Sequence, residues 1–427
     1  MATLVAPEET ATMVPPSVNS IEDTGLDASF ISDLLLKHIY FGGVMAGATV
    51  AANMCLPYYQ VIEGILESLK TQTFVEVRGS TGVLSTTYRY SLTEKGQNRV
   101  KEALERNMYA GPCPVTLQDY TFAVQRQTIR NVVVTREALG AAFSHLVFNQ
   151  QTLDQVGPAI NSGRSIFLFG PPGNGKTTIA EVSATLLGGH IYIPHSIQVE
   201  GQIIRVFDDA HHNKAQDTDP ELVDQRWVLS KRPVVIVGGE LTLGELDLRM
   251  SEESRIYEAP LQMKANCGMF LIDDFGRQQI SPRALLNRWI IPLERRIDYL
   301  SLITGNKMEV PFDELLIFST NLDPKDLMDD AFLRRIRYKI NITPPTIDEF
   351  REIFKRTCAQ RSIEYNEAAL AYIYNEYYVK LGMQMRSCHP RDLLDQLMDI
   401  AQYLRVRPML AKELIDLACK SYFVKLQ

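Results

Sequence analysis

The 427-residue chain is poor in cysteine and poorer in tryptophan, with six Cys and two Trp. Cys55, Cys113, Cys267, Cys358, Cys388 and Cys419 lie far apart and form no CxxC pair. That excludes the disulfide framework of a small secreted domain and a four-ligand zinc site. The adjacent Cys388-His389 and His211-His212 lack further ligands at metal spacing. No Lys or Arg precedes Lys37, and Glu8, Glu9, Glu22 and Asp23 stand there instead. The basic start of a secretory signal is therefore missing, and a cytoplasmic chain is expected. No repeat at solenoid periods is visible. A large charge of one sign is missing too: 44 bases meet 51 acids, for a net −7. That balance argues mildly against coating nucleic acid through bulk charge. Five of the acids and none of the bases fall in residues 1–29, however. Most of the acidity thus belongs to residues 1–28, which read as a disordered acidic tail.

One stretch, Ile39 to Ile62, has no charged residue at all and contains Gly43-x-x-x-Gly47. It is long enough to cross a bilayer. Asn53, Pro57, Gln60 and several Gly and Ala lower its hydrophobicity, and two short packed helices account for it better. No membrane contact is expected. With 45% hydrophobic and 22% charged residues, the chain has the means to bury cores over several domains.

Residues 29–110 read as three helices, a hairpin and a fourth helix. Gly42-Gly43 closes the first helix, Thr49–Met54 forms a second, and Pro57 opens the third. Residues 73–77 and 87–92 read as strands, and Ser91-x-x-Glu94 has the form of a capping box before a helix to Met108. This order resembles a winged-helix domain. Its third helix offers Glu63, Glu67 and only Lys70, so protein docking is favoured over DNA contact, although Arg78, Arg89, Lys95, Arg99 and Lys101 are placed to touch phosphates. Residues 111–150 form a connector, 151–342 alternate strands and helices as an α/β domain does, and 343–427 are helical.

The decisive motif is Gly170-Pro171-Pro172-Gly173-Asn174-Gly175-Lys176-Thr177-Thr178, directly after the apolar run 165–169. It fits GxxxxGK[ST] with a strand before and a helix after. Glycines let backbone N–H groups turn toward phosphates, Lys176 adds a point charge, and the Thr177 hydroxyl is a magnesium ligand. ATP and Mg²⁺ are the expected ligands. Downstream, the apolar run 269–272 ends in Asp273-Asp274. A buried parallel strand delivers such residues to the ligand crevice, where Asp273 holds the metal shell and Asp274 polarises water. Asp274-Phe275-Gly276 also spells a kinase motif, and His389-Pro390-Arg391-Asp392 loosely imitates a kinase catalytic loop. Their order is wrong, and no kinase Gly-rich loop precedes them.

Three weaker signals follow in sequence. Asn321 ends a second apolar strand, Arg334 and Arg335 follow a short helix from Asp330, and Arg391 opens a helix near the C-terminus. Arginine suits transition-state phosphate because its planar fork donates twice. The order resembles the AAA+ ATPase superfamily over about residues 130–427. The resemblance implies an α/β P-loop core with a parallel sheet and a helical lid. It makes Asn321 sensor 1, Arg335 (or Arg334) the finger acting on a neighbour's ATP, and Arg391 sensor 2. It also implies a homo-oligomeric, hexameric ring that remodels a client protein. Ala265 to Asp274 is similar to a segment of MoxR, magnesium-chelatase and enhancer-binding ATPases. Residues 299–310 are similar to the pre-sensor-1 hairpin of that broad clade.

Two departures stand out. The resemblance makes Asp273-Asp274 the end of the Walker B strand, which most members finish with Glu. Asp274 is one methylene shorter, which draws its oxygens back by roughly 1–1.5 Å. The interval from Gly170 to Asp273 is long, and the segments 190–209 and 234–257 read as an insertion that either meets a substrate or decorates the surface. Besides the remodelling ATPase, two alternatives remain: a DNA-binding regulator or loader using the winged helix, and a slow nucleotide switch or scaffold.

Overall fold

The computed structural model describes residues 13–215, 222–327 and 333–423. The chain divides into two compact units. One gathers the chain up to Val132 with Leu187–Phe270 and Ala284–Leu315, and the other gathers Val133–Leu186, Leu271–Arg283 and Leu316 onward. The division falls inside the expected connector, and it breaks the expected α/β region into separate stretches.

In the first unit, helices Ala28–Gly42, Gly47–Met54 and Glu63–Thr71 precede the strands Val75–Ser80 and Tyr88–Leu92 and the helix Glu94–Arg106. The short strand Met45–Ala46 pairs with the second hairpin strand to give a three-stranded sheet. The expected cap moves by two residues. Ser91 is held in the strand ladder opposite Glu76, so Thr93 caps the helix and accepts from the Gly96 N–H at 3.1 Å. Of the expected disordered tail, the described part, residues 13–28, is seated against the first unit. Residues 1–12 lie outside the described residues, but Val18, Thr24 and Leu26 are buried, and Pro16 bridges to Val223.

The long interval after the phosphate loop is not surface decoration. Ile203 and Ile256 share one core with Ile31, Leu35, Val61 and Leu66 of the N-terminal helices. Arg226, buried and paired to Asp224 at 2.8 Å, also donates to the Thr24 and Pro114 carbonyls at 3.1 and 3.2 Å. A buried guanidinium requires this many acceptors. Strands Ile297–Ser301 and Lys307–Pro311 form the antiparallel hairpin expected near 299–310.

The second unit is built on a parallel sheet. Four of the five strands of that sheet, β1 (Ile166–Phe169), β2 (Met269–Ile272), β3 (Leu315–Thr320) and β4 (Tyr338–Asn341), lie in the order β2-β3-β1-β4. Thr320 of β3 and Asn341 of β4 both pair with Phe169, the last residue of β1. The three strands therefore finish level, and whatever follows each emerges at one edge. Phe167, Phe275 and Phe318 pack together with ring centroids 5.0–6.1 Å apart. Helix α1 (Arg136–Phe143) precedes the sheet, and α2 (Lys176–Leu187) follows the phosphate loop. The C-terminal part is helical. Its α3 (Ile347–Gln360) starts with a reciprocal Thr346–Glu349 capping box, and α4 (His389–Leu404) follows. Phe350, Phe354, Leu393 and Leu397 share the core of this lid with Ile415 and Cys419.

Among the described residues, no helix is long and apolar enough to cross a membrane. The charge-free stretch from Ile39 to Ile62 is split between short helices instead.

Candidate nucleotide site

The strand ends assemble the expected residues into one cluster. Lys176 is buried, and its ammonium donates to the Gly170 carbonyl at 2.9 Å, the Pro171 carbonyl at 3.0 Å and Asn321 Oδ1 at 2.6 Å. Asn321 Nδ2 in turn donates to Asp274 Oδ1 at 3.1 Å. Beside it, Thr177 Oγ1 donates to Asp273 Oδ2 at 2.8 Å. Two short chains, Lys176–Asn321–Asp274 and Thr177–Asp273, thus link the ends of β1, β2 and β3. Burial lowers the Lys176 pKa, while Asp273 and Asp274 work against that shift.

The turn after β2 is held by its own residues. Asp274 takes a left-handed backbone, φ 48°, which aspartate tolerates better than most side chains. Its N–H donates to Asp273 Oδ1 at 2.9 Å, and Gln278 Nε2 donates to the carbonyls of Asp273 and Asp274 at 2.9 and 3.2 Å. Phe275 is fully buried and anchors the turn, its N–H donating to the Ser319 carbonyl at 2.7 Å. In this chain Phe275 of the Asp-Phe-Gly string is a packing anchor.

The phosphate loop is tied to the lid. Asn174 is 1% exposed. Its Oδ1 accepts from the Ser387 N–H at 3.1 Å, and its Nδ2 donates to the Pro171 carbonyl at 3.3 Å. The Cys388 N–H donates to the Gly173 carbonyl at 2.9 Å. A Cβ at Gly173, where φ is 78°, would sit 2.5 Å from Cys388 Sγ, so only glycine permits this approach.

These residues border a cleft of about 570 Å³, within the size range of small-molecule sites. Pro172, Gly173, Gly175, Lys176, Thr177, Thr178, Asp273, Asp274 and Asn321 line one side, and Arg391 reaches it from α4. Arg391 is also paired with Asp392 at 3.1 Å. Arg334 and Arg335 lie in the turn ahead of β4, and neither is among the lining residues. The short helix expected from Asp330 begins outside the described residues.

Sequence reasoning missed much of the remaining lining. His145, Leu146, Val147 and Phe148 come from the loop after α1, and Ile353, Arg356, Thr357, Gln360 and Arg361 from the lid. Arg386 was missed as well, although its Cδ lies 3.5 Å from where a Cβ would stand at Gly173. The signal in α3 was available: Ile353, Arg356, Thr357 and Gln360 recur at helical spacing on one face.

The donors fit a magnesium nucleotide. A triply bonded buried ammonium faces carbonyl and amide oxygens, which are of the same acceptor class as phosphate oxygens. A hydroxyl–carboxylate pair sits next to it, the hard oxygen set that magnesium takes.

A family model described as a domain of unknown function (DUF8689) matches residues 346–421, inside the helical lid. Comparison with curated proteins finds no match. Among solved structures, the chain is similar to NtrX from Brucella abortus in complex with ADP, at 15% identity and a TM-score of 0.39, covering 65% of this chain and 56% of that one. It is similar to the same protein in complex with ATP at 14% identity and a TM-score of 0.39, covering 78% of this chain and 66% of that one. It is also similar to the Holliday junction branch migration motor RuvB from Thermotoga maritima, at 14% identity and a TM-score of 0.38, covering 65% and 71%. The chain thus spans between half and two thirds of the length of NtrX.

Proposed function

We propose that this chain is a AAA+ ATPase that binds and hydrolyses Mg-ATP and uses turnover to remodel a protein or protein–nucleic-acid partner as a homo-oligomeric, hexameric ring. The observation that carries the reading is the Lys176–Asn321–Asp274 chain beside the Thr177–Asp273 pair. In the reaction, Lys176 exchanges its carbonyl and amide partners for β- and γ-phosphate oxygens. Asn321, released from the ammonium, orients the attacking water. Asp274 accepts that water's proton as its oxygen bonds to the γ-phosphorus and the bond to the β-γ bridging oxygen breaks. Thr177 and Asp273 are the residues that would hold Mg²⁺, which would supply charge neutralisation at the phosphates. Arg391 serves the γ-phosphate from the lid, and Arg335 (or Arg334) serves a neighbour's site, which is why a ring is required.

The order of helices and hairpin in residues 29–110 supports a winged-helix domain, and the hairpin at 297–311 supports a place in the pre-sensor-1, MoxR-like broad clade. For the winged helix we favour protein docking. Arg99 and Arg106 both engage Asp33 at 2.8 Å, and Arg78 engages Glu76, so three of its bases are already opposed by carboxylates. The DNA-binding regulator or loader is the weaker reading for that reason. The slow nucleotide switch draws on Asp274, which is one methylene short and held by Asn321 at 3.1 Å. The location we propose is cytoplasmic.

Asp274→Asn tests the whole reading. The variant retains ATP affinity within about threefold, loses turnover by about 100-fold or more, sediments as a multimer in ATP and retains its partner in a pull-down. Turnover equal to the parent protein would remove Asp274 from the mechanism, and a monomeric mass in ATP would remove the trans-acting arginine.

A further inference from the structure

We infer that Arg356 is a positioning residue for the nucleotide, pinning the wall of the cleft that receives the base and tying that wall to the lid. The inference rests on the nucleotide reading above and assigns a role within that site.

The wall is the loop after α1. Ser144 closes that helix, and the Leu146 N–H returns to the Phe143 carbonyl at 2.9 Å. Carbonyls at a helix C-terminus have no intrahelical donor and carry the negative end of the dipole. Arg356 supplies the donors. Its Nη1 donates to the Ser144 carbonyl at 2.8 Å and the Leu146 carbonyl at 3.1 Å. Its Nε donates to Glu352 Oε1 at 2.7 Å, which fixes the plane of the guanidinium. Two bonds to the loop from a rigid fork whose plane is held by the third define the loop's position more closely than a flexible ammonium does.

The other end of the loop rests on the phosphate loop. A Cβ at Gly175 would stand 2.9 Å from Phe148 Cζ, and Phe148 stacks edge-on against Phe143 with ring centroids 5.7 Å apart. Between these anchors, Leu146, Val147 and Phe148 line the cleft, joined from α3 by Ile353. This apolar lining suits a flat heterocycle and is unsuited to a polyphosphate, which is served by Lys176 and the backbone of the phosphate loop. Arg356 makes its bonds to the first set of groups and none to the second. Its effect belongs to the base end of the ligand.

The test compares the full chain with R356A and R356K, using ATP and inorganic tripolyphosphate as ligands. In R356A, Kd and KM for ATP rise about tenfold, kcat at saturating ATP stays within about twofold, and tripolyphosphate affinity is unchanged; R356K recovers part of the loss. If R356A does not fold, R356K alone carries the test, with a loss of about threefold seen for ATP and not for tripolyphosphate. Unchanged ATP affinity, or equal losses for both ligands, overturns the inference and leaves nucleotide binding in place. A parent chain that binds neither ligand overturns the nucleotide reading and this inference together.

Discussion

The two walls of the cleft are made in different ways. The sheet-side wall uses residues that directly follow strands, so a strand end and its first polar residues are contiguous in sequence. Gly170 follows Phe169, Asp273 follows Ile272 and Asn321 follows Thr320. The lid-side wall uses one face of α3, the first turns of α4 and a loop after α1, with contributors drawn from residues 145 to 391. The sheet side is fixed by a level parallel ladder. The lid side is fixed by a few side-chain bonds, chiefly those of Asn174 and Arg356. We expect the first wall, joined by Arg391 from α4, to govern whether phosphate binds and reacts, and the rest of the second wall to govern how the base end of the nucleotide is held.

The sharpest way to break that comparison is Lys176→Ala. It removes a cation bonded to both the phosphate loop and Asn321. Charge-assisted hydrogen bonds contribute about 1.5–3 kcal/mol each, so ATP affinity should fall on the order of 100-fold, with tripolyphosphate affinity falling in parallel. Calorimetric titration of both ligands checks this. Loss of ATP binding alone would mean that Lys176 does not face the phosphates.

A smaller effect is expected where the two walls meet. Asn174→Ala deletes the acceptor for the Ser387 N–H and leaves that group without its partner. Such a loss costs about 1–3 kcal/mol. The Cys388 N–H bond to the Gly173 carbonyl remains, so the phosphate loop keeps one of its two ties to the segment ahead of α4. ATP affinity should drop about fivefold, with an added gain in protease sensitivity around residues 380–388 that saturating ATP reverses. Parent-like proteolysis would show that the second tie suffices.

How much of this could be read in the sequence follows the same division. Glycines, a lysine and paired aspartates at fixed spacing carry their chemistry in a local pattern, because the strand-turn-helix that uses them is itself local. The helical, C-terminal lid was readable as a region. Its contacts were not, since nothing near Arg356 in sequence indicates that Ser144 and Leu146 lie in front of it. The first unit shows the same limit. The interval containing Ile203 and Ile256 reads as strand-rich, but its place in the core of the N-terminal helices is a long-range fact. The capping box at Ser91 failed for a related reason: the pattern was right locally, but a strand partner claimed the residue.

The last expected effect is on stability alone, with none on ATP affinity at pH 7, and concerns His389, which sequence placed in a kinase-like His-Pro-Arg-Asp string. In the lid it is 3% exposed, stacks on Tyr378 at 5.6 Å and shares a hydrogen bond of 2.8 Å between its Nδ1 and the Tyr378 hydroxyl. Burial is the main reason its pKa is pushed down to about 4, with Arg386 adding to the shift. The folded value lies below the unfolded value near 6.5, so the unfolded chain binds the extra proton first. Stability from this group is complete above about pH 6.5 and is lost as pH falls toward 4, at up to about 1.4 kcal/mol per pH unit. Melting temperatures of the parent chain and His389→Phe, measured from pH 7 to pH 4.5, isolate the group. The parent should fall more steeply, and the gap should open only below pH 6.5. Parallel curves would mean that His389 titrates normally and that the lid core around Tyr378 is open to water. A gap that also appears in ATP affinity at pH 7 would give His389 a part in the site, and the distinction between a core-built lid and a chemistry-bearing sheet edge would no longer hold.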